Sequence, residues 1–180
     1  MVNVNWPNRL TILRIILVPV FVMAILYHQL NLGLFVFFIA SATDALDGYL
    51  ARALNKKTQF GTIMDPIADK LLIDTAFICF SVVSSLPDYI QMPIYVPLIV
   101  ISRDVIILLG VASIYLISGK LNVRPSALGK ITSFFQMLTI IVLLLRFRYS
   151  NWIWNITVIF TLLSGIDYIR KGTKEINGVL

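Results

Sequence analysis

Four aspartates dominate the chemistry this chain can offer. Asp44 and Asp47 stand three residues apart in one apolar stretch, and Asp65 and Asp69 stand four apart in the next. Both spacings place the two side chains on one face of a helix. An antiparallel hairpin of the two stretches brings the pairs together near its turn. Four crowded carboxylates cannot all stay ionised without cations, and few basic residues lie near enough to serve. A hard divalent cation held through oxygens resolves the conflict. Mg²⁺ is the usual ion where phosphates are handled, and Mn²⁺ or Ca²⁺ suits the same donors. Gly48 and Ala51 leave the helix face beside Asp47 nearly bare, and Gly61 does so one turn before Asp65. A ligand can therefore approach the backbone closely. Arg52 adds a forked donor matched to phosphate. Pro66 marks either the first turn of its helix or a kink within it.

These charges stand in a chain that must be membrane-embedded. Of 180 residues, 58% are hydrophobic and 13% charged, with mean hydropathy +0.88. Soluble domains carry about 25% charged residues, so a soluble or a disordered chain is excluded. The expected architecture is an all-α integral membrane protein, a single domain over residues 1–180 with six transmembrane helices. The expected spans are 10–27, 32–54, 62–86, 93–117, 128–145 and 152–169, each long enough to cross a bilayer. Turn-forming residues separate them, among them Pro87-Asp88 and Ser118-Gly119.

Charge sets the orientation. Arg9 with Arg14, Arg52 with Lys56 and Lys57, Lys120 with Arg124 and Lys130, and Arg170 with Lys171 and Lys174 fall at alternate ends of the spans. The connections 28–31 and 87–91 carry no lysine or arginine. Both termini are thus expected in the cytoplasm. Arg146 and Arg148 are the exceptions, and Trp152 and Trp154 beside them read as interfacial anchors. The net charge of +6 suits anionic lipid heads, and no basic face on a soluble domain suggests nucleic acid. Cys79 reads as a buried small hydrophobe and His28 as interfacial. Neither has neighbours that would make a nucleophilic dyad or a metal site. Asp74, Arg103 and Asp104 also lie in apolar stretches, where ionisable groups mark function or an interhelical pair.

Written out, Asp44-x2-Asp47-Gly48-x2-Ala51-Arg52-x8-Gly61-x3-Asp65-x3-Asp69 resembles the complete signature of the CDP-alcohol phosphatidyltransferase family. The opening Pro7-Asn8-Arg9-Leu10-Thr11-x2-Arg14, the segment Phe60-Gly61 to Asp69-Lys70, and Gly129-Lys130-x-Thr132 are similar to members that make anionic phospholipids. The resemblance implies a six-helix homodimer in the cytoplasmic (inner) membrane, with its cavity open to the cytoplasm. It implies transfer of the phosphatidyl group of CDP-diacylglycerol to an alcohol, with release of CMP. It further implies one or two Mg²⁺ or Mn²⁺ ions on Asp44, Asp47, Asp65 and Asp69, with Asp69 also the general base. Gly48, Ala51, Arg52 and Gly61 would line the site for the CDP portion. The chemistry agrees, since metal ions can neutralise phosphoryl oxygens and a carboxylate can accept the hydroxyl proton.

The acceptor is less determined. The overall pattern is most similar to members that use glycerol 3-phosphate, an anion needing a cationic pocket, for which the chain offers Arg103, Arg124 and Lys130. Arg103 is expected to face the cavity rather than Asp104, because adjacent helical residues point in different directions. The run Ile101-Ser102-Arg103-Asp104-Val105, with Val111 where such members carry a second arginine, looks more like members that use phosphatidylglycerol. An ion transporter is a distant alternative: intramembrane carboxylates also mark ion pathways, but these gather toward one face and no inverted repeat is present.

Overall fold

The computed structural model describes the backbone of residues 6–53, 59–118 and 126–177, and the side chains of residues 12–43, 70–110 and 126–173. Among the described residues all regular structure is helical. Six helices follow one another: α1 (Trp6–Leu26), α2 (Leu30–Ala53), α3 (Gln59–Val82), α4 (Tyr95–Ser118), α5 (Ala127–Leu144) and α6 (Ser150–Asn177). They coincide with the six expected apolar stretches to within a few residues at most ends. Pro7 lies at the start of α1, where its missing N–H costs nothing. Pro66 lies inside α3 and not in its first turn.

Two ends depart further from hydropathy. The third stretch stops being helical at Val82, and the chain folds back so that the Met92 N–H donates to the Phe80 carbonyl at 2.8 Å. The sixth continues to Asn177, past the end of its apolar run, where Lys171 pairs with Asp167 one turn back at 2.7 Å, a spacing that supports a helix.

α1 packs against α2 and α3, while α6 packs against α4 and α5. Contact between these two three-helix groups is lighter and runs through α3–α4, α3–α5 and α2–α5. The first group is filled with apolar side chains, including Phe21, Ile25, Phe37, Ile73, Phe77 and Phe80. Hydroxyls join the second. Thr139 and Thr157 share a hydrogen bond of 2.8 Å, and Thr132 donates to the Phe160 carbonyl across the α5–α6 seam at 3.0 Å. Phe135 and Phe160 stack at 4.8 Å along the same seam. The outside of the bundle is apolar: Phe35, Phe38, Ile94, Leu98, Phe134 and Trp152 are each more than 60% exposed. Such a surface calls for lipid. Within the described residues, Ala127–Leu144 and Ser150–Thr173 are long and apolar enough to cross a membrane.

Three tight connections gather at one end of the bundle. α1 and α5 each finish in a left-handed residue, His28 and Arg146, both at φ 59°. In each case the next N–H reaches back five residues, Gln29 to Ala24 and Phe147 to Val142, the paired bonding of a Schellman cap. Arg146 thereby sits at the C-terminal carbonyls of α5, where a cation is favoured. That gives the exception in the charge pattern a local reason. Ser150, opening α6, donates to the Tyr89 carbonyl of the α3–α4 connection at 2.7 Å.

Two expectations are corrected. Trp154 is packed in the core at 6% exposure, whereas Trp152 is 70% exposed. Residues two apart on a helix point to nearly opposite sides, so only one of the pair can face outward. Arg14 is not a flanking charge: it lies eight residues into α1 and is 1% exposed. Cys79 is buried and unpaired with another cysteine, and His28 is exposed at its turn.

Candidate active site

The acidic pairs lie at the end of the bundle opposite the tight connections. Asp47 and Asp44 come six and nine residues before the end of α2, and Asp65 and Asp69 six and ten residues after the start of α3. At 1.5 Å per residue both pairs fall about 9–15 Å in from the same connection. Arg14 is at a similar depth in α1, the helix that packs on both. The side chains of Asp44, Asp47, Gly48, Ala51, Arg52, Gly61, Asp65 and Asp69 lie outside the described residues, so the structure adds their register in the helices and nothing of their contacts, and Arg124 lies outside the described residues altogether.

The neighbouring polar side chains are described, and they form one chain across four helices. Lys70, the residue after Asp69, places its Nζ 2.8 Å from Oδ2 of Asp104 on α4 and donates to Gln136 Oε1 on α5 at 3.1 Å. Arg103 donates through Nη1 to Oδ1 of the same Asp104 and through Nη2 to Ser164 Oγ on α6, both at 2.6 Å. Asp104 therefore holds two cations at once, one from each three-helix group. Burial makes these links strong, because charged partners in a medium of low dielectric attract more than in water.

The expectation that Arg103 would turn away from Asp104 does not hold. Their Cβ atoms diverge, but the arginine stem is long enough to fold its guanidinium back onto the carboxylate beside it. The same guanidinium reaches the first turn of α5. A Cβ on Gly129 would stand 3.4 Å from Arg103 Nη2 and 3.3 Å from Ser126 Oγ, so the guanidinium packs closely on this turn. Ser126 caps this turn by accepting from the Gly129 N–H at 3.0 Å. Lys130 follows Gly129 and is exposed. The buried Nε of Arg103 has no hydrogen-bond partner. Arg103 thus lies against the N-terminus of α5, whose dipole adds to its positive field.

Sequence reasoning missed Gln136 and Ser164. Their signal was present as two polar stripes at helical spacing, Thr132-Gln136-Thr139 on α5 and Thr157-Thr161-Ser164 on α6, all buried. On helices whose outer faces meet lipid, such stripes mark the inward side.

A family model, CDP-alcohol phosphatidyltransferase, matches residues 4–163. The chain belongs to that family. It is 32% identical to the CDP-diacylglycerol–glycerol-3-phosphate 3-phosphatidyltransferase of Bacillus subtilis, over 96% of this chain and 97% of that protein. The enzymes of the same description from Rickettsia felis and Aquifex aeolicus are also 32% identical, each over 96% of this chain and 98% of their own. This phosphatidyltransferase is therefore a membrane enzyme of phospholipid synthesis. Its family signature falls on α2 and α3, and its described ion network begins at Lys70, the residue after the last signature aspartate.

Proposed function

We propose that the enzyme transfers the phosphatidyl group of CDP-diacylglycerol to a hydroxyl of glycerol 3-phosphate, giving phosphatidylglycerophosphate and CMP. The observation that carries this reading is full-length similarity to relatives named for that reaction. Arg103 at the N-terminus of α5, against the residue that precedes Lys130, supports it, since a phosphorylated acceptor needs cations apart from the metal-binding carboxylates.

The roles follow from the residue types. The donor set of Asp44, Asp47, Asp65 and Asp69 is four hard oxygen ligands, which fits one or two Mg²⁺ or Mn²⁺ ions. Bound there, the metal supplies charge neutralisation on the phosphoryl oxygens and on the departing CMP. Gly48, Ala51 and Gly61 let the CDP portion lie against the backbone, and Arg52 pairs with its phosphates. Asp69 accepts the proton of the attacking hydroxyl. A bond forms from that oxygen to the lipid-bearing phosphorus, and the bond from this phosphorus to the CMP oxygen breaks. Arg103 and Lys130, with Arg124, hold the acceptor's own phosphate. In this reading all six helices span the cytoplasmic membrane, both termini and the site face the cytoplasm, and the enzyme is a homodimer.

The test uses purified enzyme with CDP-diacylglycerol and Mg²⁺, offered glycerol 3-phosphate or phosphatidylglycerol in turn, with product identified by mass. The expected product is phosphatidylglycerophosphate, formed only with glycerol 3-phosphate and abolished by excess EDTA. Cardiolipin from phosphatidylglycerol alone would replace this acceptor assignment, and full turnover in EDTA would remove the metal from it.

A further inference from the structure

The two three-helix groups carry different parts of the proposed chemistry. The carboxylates are on α2 and α3, and the acceptor cations are on α4 and α5. Reaction between two bound molecules depends on their relative placement, and a displacement of about 1 Å costs about 10²-fold in rate. Yet the helices of the two groups approach one another less extensively than do those within either. Among the described residues, the Lys70–Asp104 pair at 2.8 Å, backed by Lys70–Gln136 at 3.1 Å, crosses between them at the level of the site.

We infer that Lys70 and Asp104 are positioning residues that set the donor-holding helices in register with the acceptor-holding ones. Lys70 directly follows Asp69, and successive helical residues are about 100° apart around the axis. Anchoring Lys70 on α4 and α5 therefore fixes the rotation of α3 about its own axis, and with it the face on which Asp65 and Asp69 are carried. Asp104 completes the device from the other side. By taking Lys70 on one oxygen and Arg103 on the other, it ties the proposed acceptor arginine to the helix bearing the proposed base. The Asp104 end of this link is buried, with its side chain 6% exposed against 28% for Lys70, so a carboxylate that lost its partner there would be poorly hydrated. Buried ionic groups of this kind add little net stability over apolar replacements, and a role in register accounts for their presence.

The inference rests on the proposed reaction, so wild-type turnover with the preferred acceptor is measured first; its absence would defeat that reading, not this one. Lys70→Gln, Asp104→Asn and the double variant are then compared in detergent for kcat, both KM values and Tm. Each single variant is expected to lose about 10²-fold in kcat per folded molecule, on the scale for a misplaced reacting group. The KM for CDP-diacylglycerol should change little, and the double variant should be no slower than the slower single one, because the pair acts as one unit. Lys70→Arg, which keeps the charge and the reach to Asp104, should recover most of the kcat. A merely structural pair would lower Tm and leave kcat of the folded fraction intact. That outcome, or losses that multiply in the double variant, would overturn the inference.

Discussion

The two halves of this bundle solve opposite problems. The α1–α3 half carries the family signature on its helix ends and closes its interior with aromatic and aliphatic side chains such as Phe37, Phe77 and Phe80. The α4–α6 half joins its helices through polar side chains: Arg103 with Asp104 and Ser164, and Lys70 of the other half reaching across to Asp104 and Gln136. The difference teaches where a lipid-embedded enzyme can place polarity. Groups that bind an exchangeable ligand belong near a membrane face, open to the aqueous side. Groups that hold helices together belong on the faces where helices meet, where each must find a protein partner.

The comparison breaks most visibly at Asp69. Asn at this position keeps the size and one oxygen but cannot take the hydroxyl proton. Asp69→Asn should lower turnover by about 10²-fold or more, the range for losing a general base, while donor binding measured by CMP-displaceable titration falls only modestly. Near-normal turnover would move the base elsewhere and leave the α1–α3 half with binding alone.

Arg103 sharpens the other side. Arg103→Lys retains a charge but cannot contact Asp104, Ser164 and a phosphate with one planar fork. The KM for glycerol 3-phosphate should rise about tenfold, a loss of about 1.4 kcal/mol, with the KM for CDP-diacylglycerol nearly unchanged. Arg124→Ala should have a smaller effect, as solvent screens a charge at the rim. An unchanged acceptor KM with a lowered Tm would make Arg103 a structural partner of Asp104 and Ser164 only.

Much of this was legible before any coordinates. Lipid-facing helices must be long and apolar, so runs of hydropathy locate them, and the acidic pairs stand out because charge is costly there. Hydropathy could not set the ends. The end of α3 at Val82 depends on a backbone fold that returns Met92 to Phe80, and the tail of α6 is helical without being apolar. Nor could it tell Trp154 from Trp152, since the two differ only in which side of α6 meets the core. The Arg103–Asp104 contact escaped a rule built on Cβ directions, because the reach of a long side chain outweighs the direction in which it starts. Gln136 and Ser164 needed α5 and α6 to be read as a pair, each stripe being unremarkable alone.

The smallest effect tests how each half is held. Thr157 accepts or donates with Thr139 at 2.8 Å and stands 3.1 Å from the Phe135 carbonyl and 3.0 Å from the Ile153 carbonyl. Thr157→Val keeps the β-branched shape and removes the seam bonds together with the hydroxyl's contact to Ile153, whose carbonyl remains available to the backbone ladder. Interhelical hydrogen bonds in membrane proteins average about 0.6 kcal/mol, because the separated helices also find partners. Phe77→Ala in the α1–α3 half instead opens a space its fully buried ring had filled, and such truncations in packed interiors cost about 3–5 kcal/mol. Thermal unfolding of the two variants in the same detergent should therefore separate them, with Phe77→Ala lowering Tm several times further. A loss at Thr157 equal to that at Phe77 would mean that the hydroxyl seam, and not aromatic packing, dominates the stability of the bundle. The two halves would then differ in composition but not in how strongly they are held.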